Sequence, residues 1–191
     1  MKLMPSAARN IIAMGVAGYL LLLIYDLASL RKLPYRFLFS LLGYSMQAYA
    51  IVSAALFEQQ LAVSKYLWLL AWPLMLAGLS WLLYCLFLYP PLRRTYRDKK
   101  GPALTTEGPY ALSRHPGVYG YTFFVLSLAV ISRSQLLLSA GCLWSVINLI
   151  YVFLQDRFIF MALLEGYEQY RRNTPMLIPN LQSIKRFWAT K

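Results

Sequence analysis

The chain has 191 residues, of which 59% are hydrophobic and only 14% charged. Soluble domains are nearer half apolar and about a quarter charged, so this composition excludes an ordinary soluble enzyme or binding module. The net charge of +12 would suit a nucleic-acid binder, but the basic residues collect in the links between apolar runs, and no nucleic-acid role is assigned.

A helix needs about 20 apolar residues to cross the hydrocarbon core of a bilayer. In chain order, Ile11–Leu30 carries one charge, Asp26, near its end; Tyr35–Phe57 carries only Arg36, at its start; and Tyr66–Tyr89 carries none. Pro73 falls inside this third run, where proline kinks a helix, and Pro90-Pro91 ends it. A polar loop follows, Leu92–Gly108, strongly basic over Arg93–Lys100. Val118–Ile131 is a short fourth run. Extended back to Pro116 it rises only roughly 24 Å at about 1.5 Å per residue, which makes it a thin crossing or half of a tight hairpin with the next run. That hairpin turns through Ser132–Gln135 into Leu136–Leu154, which has no charge. The expectation is one all-α integral membrane domain over residues 1–191. It has about five spans, near 11–30, 35–57, 66–89, 116–131 and 136–154, and a polar tail over 155–191. In that tail Asp156–Tyr170 continues the last span, and Pro175 and Pro179 prevent a regular helix over Arg171–Pro179.

With five crossings, Lys2, Arg9, Lys65 and Arg133 fall on one side of the membrane, and the other fifteen of the nineteen Lys and Arg fall on the other. Cytoplasmic loops collect Lys and Arg. The N-terminus is therefore expected outside and the C-terminus in the cytosol, at the plasma (inner) membrane if the source is bacterial. Cys85 and Cys142 lie within apolar runs and read as small buried hydrophobes. With them so placed, the single histidine, His115, can form no metal cluster, and no metal is expected.

Two polar segments stand at the two ends of the helical hairpin, on the same side of the membrane: the stretch from Thr105 to Tyr121, and Gln155–Pro179. Their meeting point is the candidate site. Proline is favoured at the first helical position, so Pro116 should open the fourth span with His115 as its cap. The amides of Gly117, Val118 and Tyr119 would then be free to bind carboxylate or phosphate, with Arg114 and His115 adding hydrogen bonds to the same anion. The turn Gly108-Pro109-Tyr110 could fold a ring over the ligand. Asp156 and Arg157, where the fifth span leaves the bilayer, form the candidate catalytic pair. Asp156 can accept hydrogen bonds from a ribose or an amine, and Arg157 is the nearest cation for a substrate carboxylate. Tyr167 and Tyr170, three apart, share a helix face. Periodicity and spacing thus yield an anion site beside a membrane-facing pocket and name no reaction.

At these segments the chain resembles the isoprenylcysteine carboxyl methyltransferases and their membrane relatives, including the phospholipid N-methyltransferases. The resemblance rests on Gly108, Tyr110, Arg114-His115-Pro116 and Gly120, and then on Gln155-Asp156, Tyr167, Tyr170, Pro175 and Pro179. It covers roughly the last ninety residues. It implies S-adenosylmethionine as cofactor and a lipophilic or lipid-like methyl acceptor reached from the bilayer. Carried over by position, Leu104, Thr105 and Tyr110 would line the cofactor. His115, Pro116, Gly117 and Val118, with Arg114 beside them, would hold it. Gln155 or Asp156, and Tyr167, would contact it from beyond the fifth span. The chain departs from the pattern at Val118, where the family has tyrosine, and at Gln155, where it has a second carboxylate. Membrane sterol reductases resemble the same hairpin and imply a nicotinamide cofactor, but they carry Asn-Tyr where this chain has Gly117-Val118. A non-catalytic membrane protein of the same fold is the third alternative.

Overall fold

The computed structural model describes residues 4–57, 61–88 and 104–189. Pro90-Pro91 and the basic stretch Arg93–Lys100 lie outside the described residues, as do Lys2 and Lys191. The described residues form an all-α membrane protein with four helices long and apolar enough to cross a bilayer and a fifth, shorter apolar one. In order they are α1 (Ser6–Leu30), α2 (Arg36–Ala55), α3 (Lys65–Leu83, continued by a π turn, Tyr84–Leu88), a short α4 (Pro109–Leu112), α5 (Gly117–Ile131) and α6 (Gln135–Leu154). A π turn (Gln155–Ile159) carries α6 into α7 (Phe160–Leu163), and α8 (Tyr167–Asn173) and α9 (Leu181–Ala189) complete the set.

The spans fall where the apolar runs require. α1 begins five residues before the apolar run, and α3 runs through Pro73 without ending. α5, at 15 residues, rises only about 22 Å and turns at Ser132–Ser134 into α6. Arg133 takes a left-handed φ of 53° there, and Ser134 caps α6 by accepting from the Leu137 amide.

Lipid tails are as apolar as leucine, so spans pack through close fit at small residues and through hydrogen bonds. The contacts show this. A Cβ on Gly120 of α5 would sit 2.6 Å from the Leu82 amide nitrogen of α3, and one on Gly78 of α3 would sit 2.7 Å from the Phe124 nitrogen of α5. A Cβ on Gly15 would lie 2.3 Å from the Trp144 indole, whose Nε1 donates to the Ile12 carbonyl at 3.2 Å. Gln47 of α2 donates to the Gly15 carbonyl at 2.7 Å. The buried core is thereby shared by α1, α2, α5 and α6, around Trp144, Leu136, Leu137 and Val125.

Two expectations are corrected. The last span does not continue to Tyr170: α7 ends at Leu163, where Leu164 turns extended and Gly166 takes a left-handed φ of 78°, so α8 is a separate helix that runs on through Asn173. Cys85 is buried, but Cys142 is exposed on the outer face of α6, because that side of a spanning helix packs against no neighbour and lipid is its natural contact. α9 is an element the sequence reading left out.

Candidate functional site

The polar end of the bundle is built by the link from α4 to α5 and by the chain after α6. Gly108, at φ 56° and ψ −131°, occupies backbone space open to glycine and turns the chain into α4, with Pro109 at its first position. Ser113 then returns to extended backbone. This lays Arg114 and His115 alongside the segment after α8: the Arg114 amide donates to the Pro175 carbonyl at 3.0 Å, and the His115 amide to Met176 at 3.2 Å. The Tyr119 hydroxyl donates to the Leu177 carbonyl. The two polar segments singled out in the sequence are thus in direct contact.

Asp156, in the π turn after α6 and 3% exposed, is the centre of the contact. Its Oδ1 accepts from Arg114 Nε at 2.7 Å and from the Tyr167 hydroxyl at 2.6 Å; its Oδ2 accepts from Arg114 Nη2 at 2.9 Å. Arg171 Nε lies 3.6 Å from Oδ2. Arg114 Nη1 donates to the carbonyls of Arg171 and Thr174, both at 2.7 Å. A guanidinium has five N–H donors, and four are spent on these internal partners. The expectation that Arg114 grips a bound anion is therefore corrected: it is a buried tie between segments.

His115 is buried and stacks on Phe160, with centroids 5.7 Å apart and planes 12° apart. Its Nε2 lies 3.5 Å from Asp156 Oδ1 without hydrogen-bond geometry, and it has no hydrogen-bond partner. It does not cap α5. The helix starts one residue later than expected, at Gly117, with Pro116 in the cap position and no side-chain cap. The ring is held by Phe160, and the Val118 amide, expected free for an anion, instead donates to the His115 carbonyl at 3.3 Å. Val118 is buried and Gly117 half-buried. A Cβ on Gly117 would meet only Leu82 and Cys85, at ordinary contact distances of 3.8 and 3.9 Å, so packing does not demand the glycine.

Tyr110 donates to the Cys85 carbonyl at 2.9 Å, and its own carbonyl accepts from Tyr170 at 2.7 Å. Burial raises the pKa of Tyr110, Tyr167 and Tyr170 above the ordinary phenol value, and the hydrogen bond to Asp156 raises Tyr167 further. All three therefore stay protonated donors.

Two expected residues stand apart from this cluster. Arg157 is exposed and makes no hydrogen bond or ion pair among the described residues, since neighbouring helical positions do not share a face and Asp156 takes the inward one. Gln155 turns toward α1, where it donates to Asp26 Oδ2 at 2.9 Å and to the Tyr151 hydroxyl at 2.8 Å. Tyr151 donates to the same Asp26 oxygen at 2.8 Å. Asp26 is a buried carboxylate that no cation reaches among the described residues. Sequence reasoning passed over it, although a lone acid in an apolar span is itself a functional signal.

Beside the Asp156 cluster, and sharing Tyr170 and Thr174 with it, lies a cavity of about 460 Å³ whose wall includes Leu104, Thr106, Glu107 and Arg186. Of the residues expected to bind cofactor, Leu104 lines it, and Thr105 lies between two of its lining residues. No family model, curated relative or solved structure matches the chain.

Proposed function

We propose that this chain is a membrane-embedded, S-adenosylmethionine-dependent methyltransferase acting on a small lipophilic or lipid-like acceptor drawn from the bilayer. On this reading the polar end faces the cytosol and the N-terminus lies outside, as the four-to-fifteen division of basic residues suggests.

The observation that carries the reading is the convergence of the two family-like segments on Asp156, which leaves His115 Nε2 buried, 3.5 Å from Asp156 Oδ1 and without a hydrogen bond. Buried polar atoms without a partner are uncommon, and a ligand group at the start of α5 would satisfy this one. That helix start also presents the positive end of its dipole, suited to a carboxylate. The cavity lined by Leu104, Tyr170 and Thr174, though by none of residues 114–118, falls within the range of about 300–1,000 Å³ typical of small-molecule sites.

When bound, S-adenosylmethionine supplies an electrophilic methyl group on a sulfonium. The chain's own residues supply placement. Phe160 stacks on His115 and meets Tyr167 edge to face, and aromatic groups of this kind favour a cationic sulfur. Asp156, saturated by its own donors, is a positioning residue. It fixes Arg114, and Arg114 fixes the backbone on which His115 is mounted. Methyl transfer to a nucleophilic acceptor gains most of its rate from such placement.

The test is equilibrium binding of labelled S-adenosylmethionine, and separately of labelled reduced nicotinamide cofactor, to detergent-purified protein. Saturable binding of the first, weakened about tenfold in His115→Ala by the loss of one charge-assisted hydrogen bond, is expected. Binding of the nicotinamide cofactor alone would establish the reductase reading instead. Unchanged affinity in both His115→Ala and Tyr110→Ala would remove the site.

A further inference from the structure

α9 (Leu181–Ala189) is folded inside out for a water-exposed helix. It opens with a reciprocal cap, in which Asn180 Oδ1 accepts from the Ser183 amide at 2.8 Å and Ser183 Oγ accepts from the Asn180 amide at 3.0 Å. Two of its polar residues, Ser183 and Arg186, face the protein, while Gln182 and Lys185 are exposed. Ser183 is fully buried, and Arg186 donates to the Asn173 carbonyl and reaches the Thr174 hydroxyl at 3.5 Å. Leu181, Ile184 and Trp188 are spaced to share one face. They are 80%, 38% and 63% exposed, and Ile178 just before the helix is 83% exposed. A soluble amphipathic helix buries this stripe. A helix lying in a membrane interface shows it outward, with basic residues alongside and an aromatic at headgroup level.

The depth of α9 fits that solvent. α9 packs on α4, and Tyr110 of α4 donates to the Cys85 carbonyl in the last turn of the spanning helix α3. That same turn exposes Phe87 and Leu88, at 52% and 75%, side chains that acyl chains cover when α3 crosses a bilayer. The apolar stripe of α9 is thus one short helix away from the hydrocarbon edge. Lys185 is exposed next to Leu181 on the helix circumference, where a lysine stem can lie on apolar surface with its ammonium among lipid phosphates.

We propose that α9 is an interfacial helix: Leu181, Ile184 and Trp188 insert into the headgroup–acyl boundary of the membrane, with Lys185 favouring anionic headgroups. Arg186 and Ala189 on its other face line the 460 Å³ cavity, so the lipid surface would help to set one wall of that cavity. The proposal holds whether or not the chain is a methyltransferase.

It is tested on the full chain in nanodiscs of phosphatidylcholine with phosphatidylglycerol. Spin labels are placed by Leu181→Cys, Trp188→Cys and Gln182→Cys in a Cys142→Ser background whose own labelling sets the baseline. Oxygen should relax the labels at 181 and 188 more than a water-soluble nickel chelate does, with the order reversed at 182. In unlabelled protein, quenching of tryptophan emission by brominated acyl chains should decrease on Trp188→Phe. Nickel access at 181 and 188 equal to that at 182 would put the stripe in water and overturn the proposal. Labels reached by neither reagent would mean that protein, such as a second copy of the chain, covers the stripe, and would overturn it equally.

Discussion

Removing the Asp156 carboxylate is the most incisive perturbation of the polar end. Asp156→Ala deprives two Arg114 donors and the Tyr167 hydroxyl of their acceptor, in a place where the Arg114 and Asp156 side chains are 7% and 5% exposed. Breaking a buried ion pair from one side costs about 3–5 kcal/mol. Arg114 would keep its bonds to the Arg171 and Thr174 carbonyls, which places the cost at the lower end, about 3 kcal/mol. For a chain of this length that corresponds to a Tm fall of about 6–12 °C. Tyr167→Phe removes one hydrogen bond to a charged group and leaves the ion pair intact, so about 1.5 kcal/mol is expected. The assay is thermal unfolding in one detergent at one scan rate, because unfolding of such a protein is under kinetic control. Replacing both partners, Arg114→Met with Asp156→Leu, leaves no buried charge unpaired and should cost less than the two single changes together. Additive losses, or a Tyr167→Phe loss as large as that of Asp156→Ala, would refute the idea that this pair holds the two segments together.

Further outcomes follow from the same geometry. Gly120→Ala would bring a Cβ to within 2.6 Å of the Leu82 backbone nitrogen and should destabilise by about 1–3 kcal/mol through forced separation of α3 and α5, visible in the same melts. A cysteine introduced by Thr106→Cys should react with impermeant reagent from the cytosolic side only; labelling from outside would remove access to a cytosolic cofactor. Stability should hold level to about pH 10 and fall above it. The reason is that Tyr110, Tyr167 and Tyr170 keep their protons in the folded state past the point where unfolded phenols lose theirs; pH-dependent melts check this. Prenylcysteine carboxylates should be methylated poorly compared with a membrane lipid extract. Prenylcysteine enzymes of the resembled family grip the carboxylate with an arginine four residues before the acidic pair, and this chain has Tyr151 there, already donating to Asp26. Efficient carboxyl methylation, lost in Arg157→Ala, would contradict this.

The spans were legible because a bilayer imposes one requirement, length of apolar run, which sequence displays directly. The meeting of the two polar segments was legible from topology, since both lie at the same end of one hairpin. What each side chain does there was not. Arg114 reads from sequence as an anion grip, and only the position of Asp156 shows that it is a structural tie. α9 went unread because its nine residues are too few to mark a span and follow two prolines that argue against helix.

Gln155 and Asp156 show most clearly where sequence reasoning stops. Side by side in the chain, they stand where the resembled family has two carboxylates, and they invite a single shared role. Helical geometry separates them, because consecutive residues on a helix point about 100° apart. They lie at the start of a π turn, Gln155–Ile159, and such turns recur at functional sites. Asp156 accepts from Arg114 and Tyr167, whereas Gln155 bridges to Asp26 of α1. The neutral amide is what its surroundings require: a second carboxylate at 155 would stand against Asp26 with no cation among the described residues to separate them, and one of the two would have to hold a proton. The departure from the family pattern at this position is thus coupled to an acid in a helix that the resemblance does not cover. A Gln155→Glu variant should therefore recover, in melts, most of any stability it loses when combined with Asp26→Asn. Failure of that recovery would show that the two positions are not linked and that the amide has another cause.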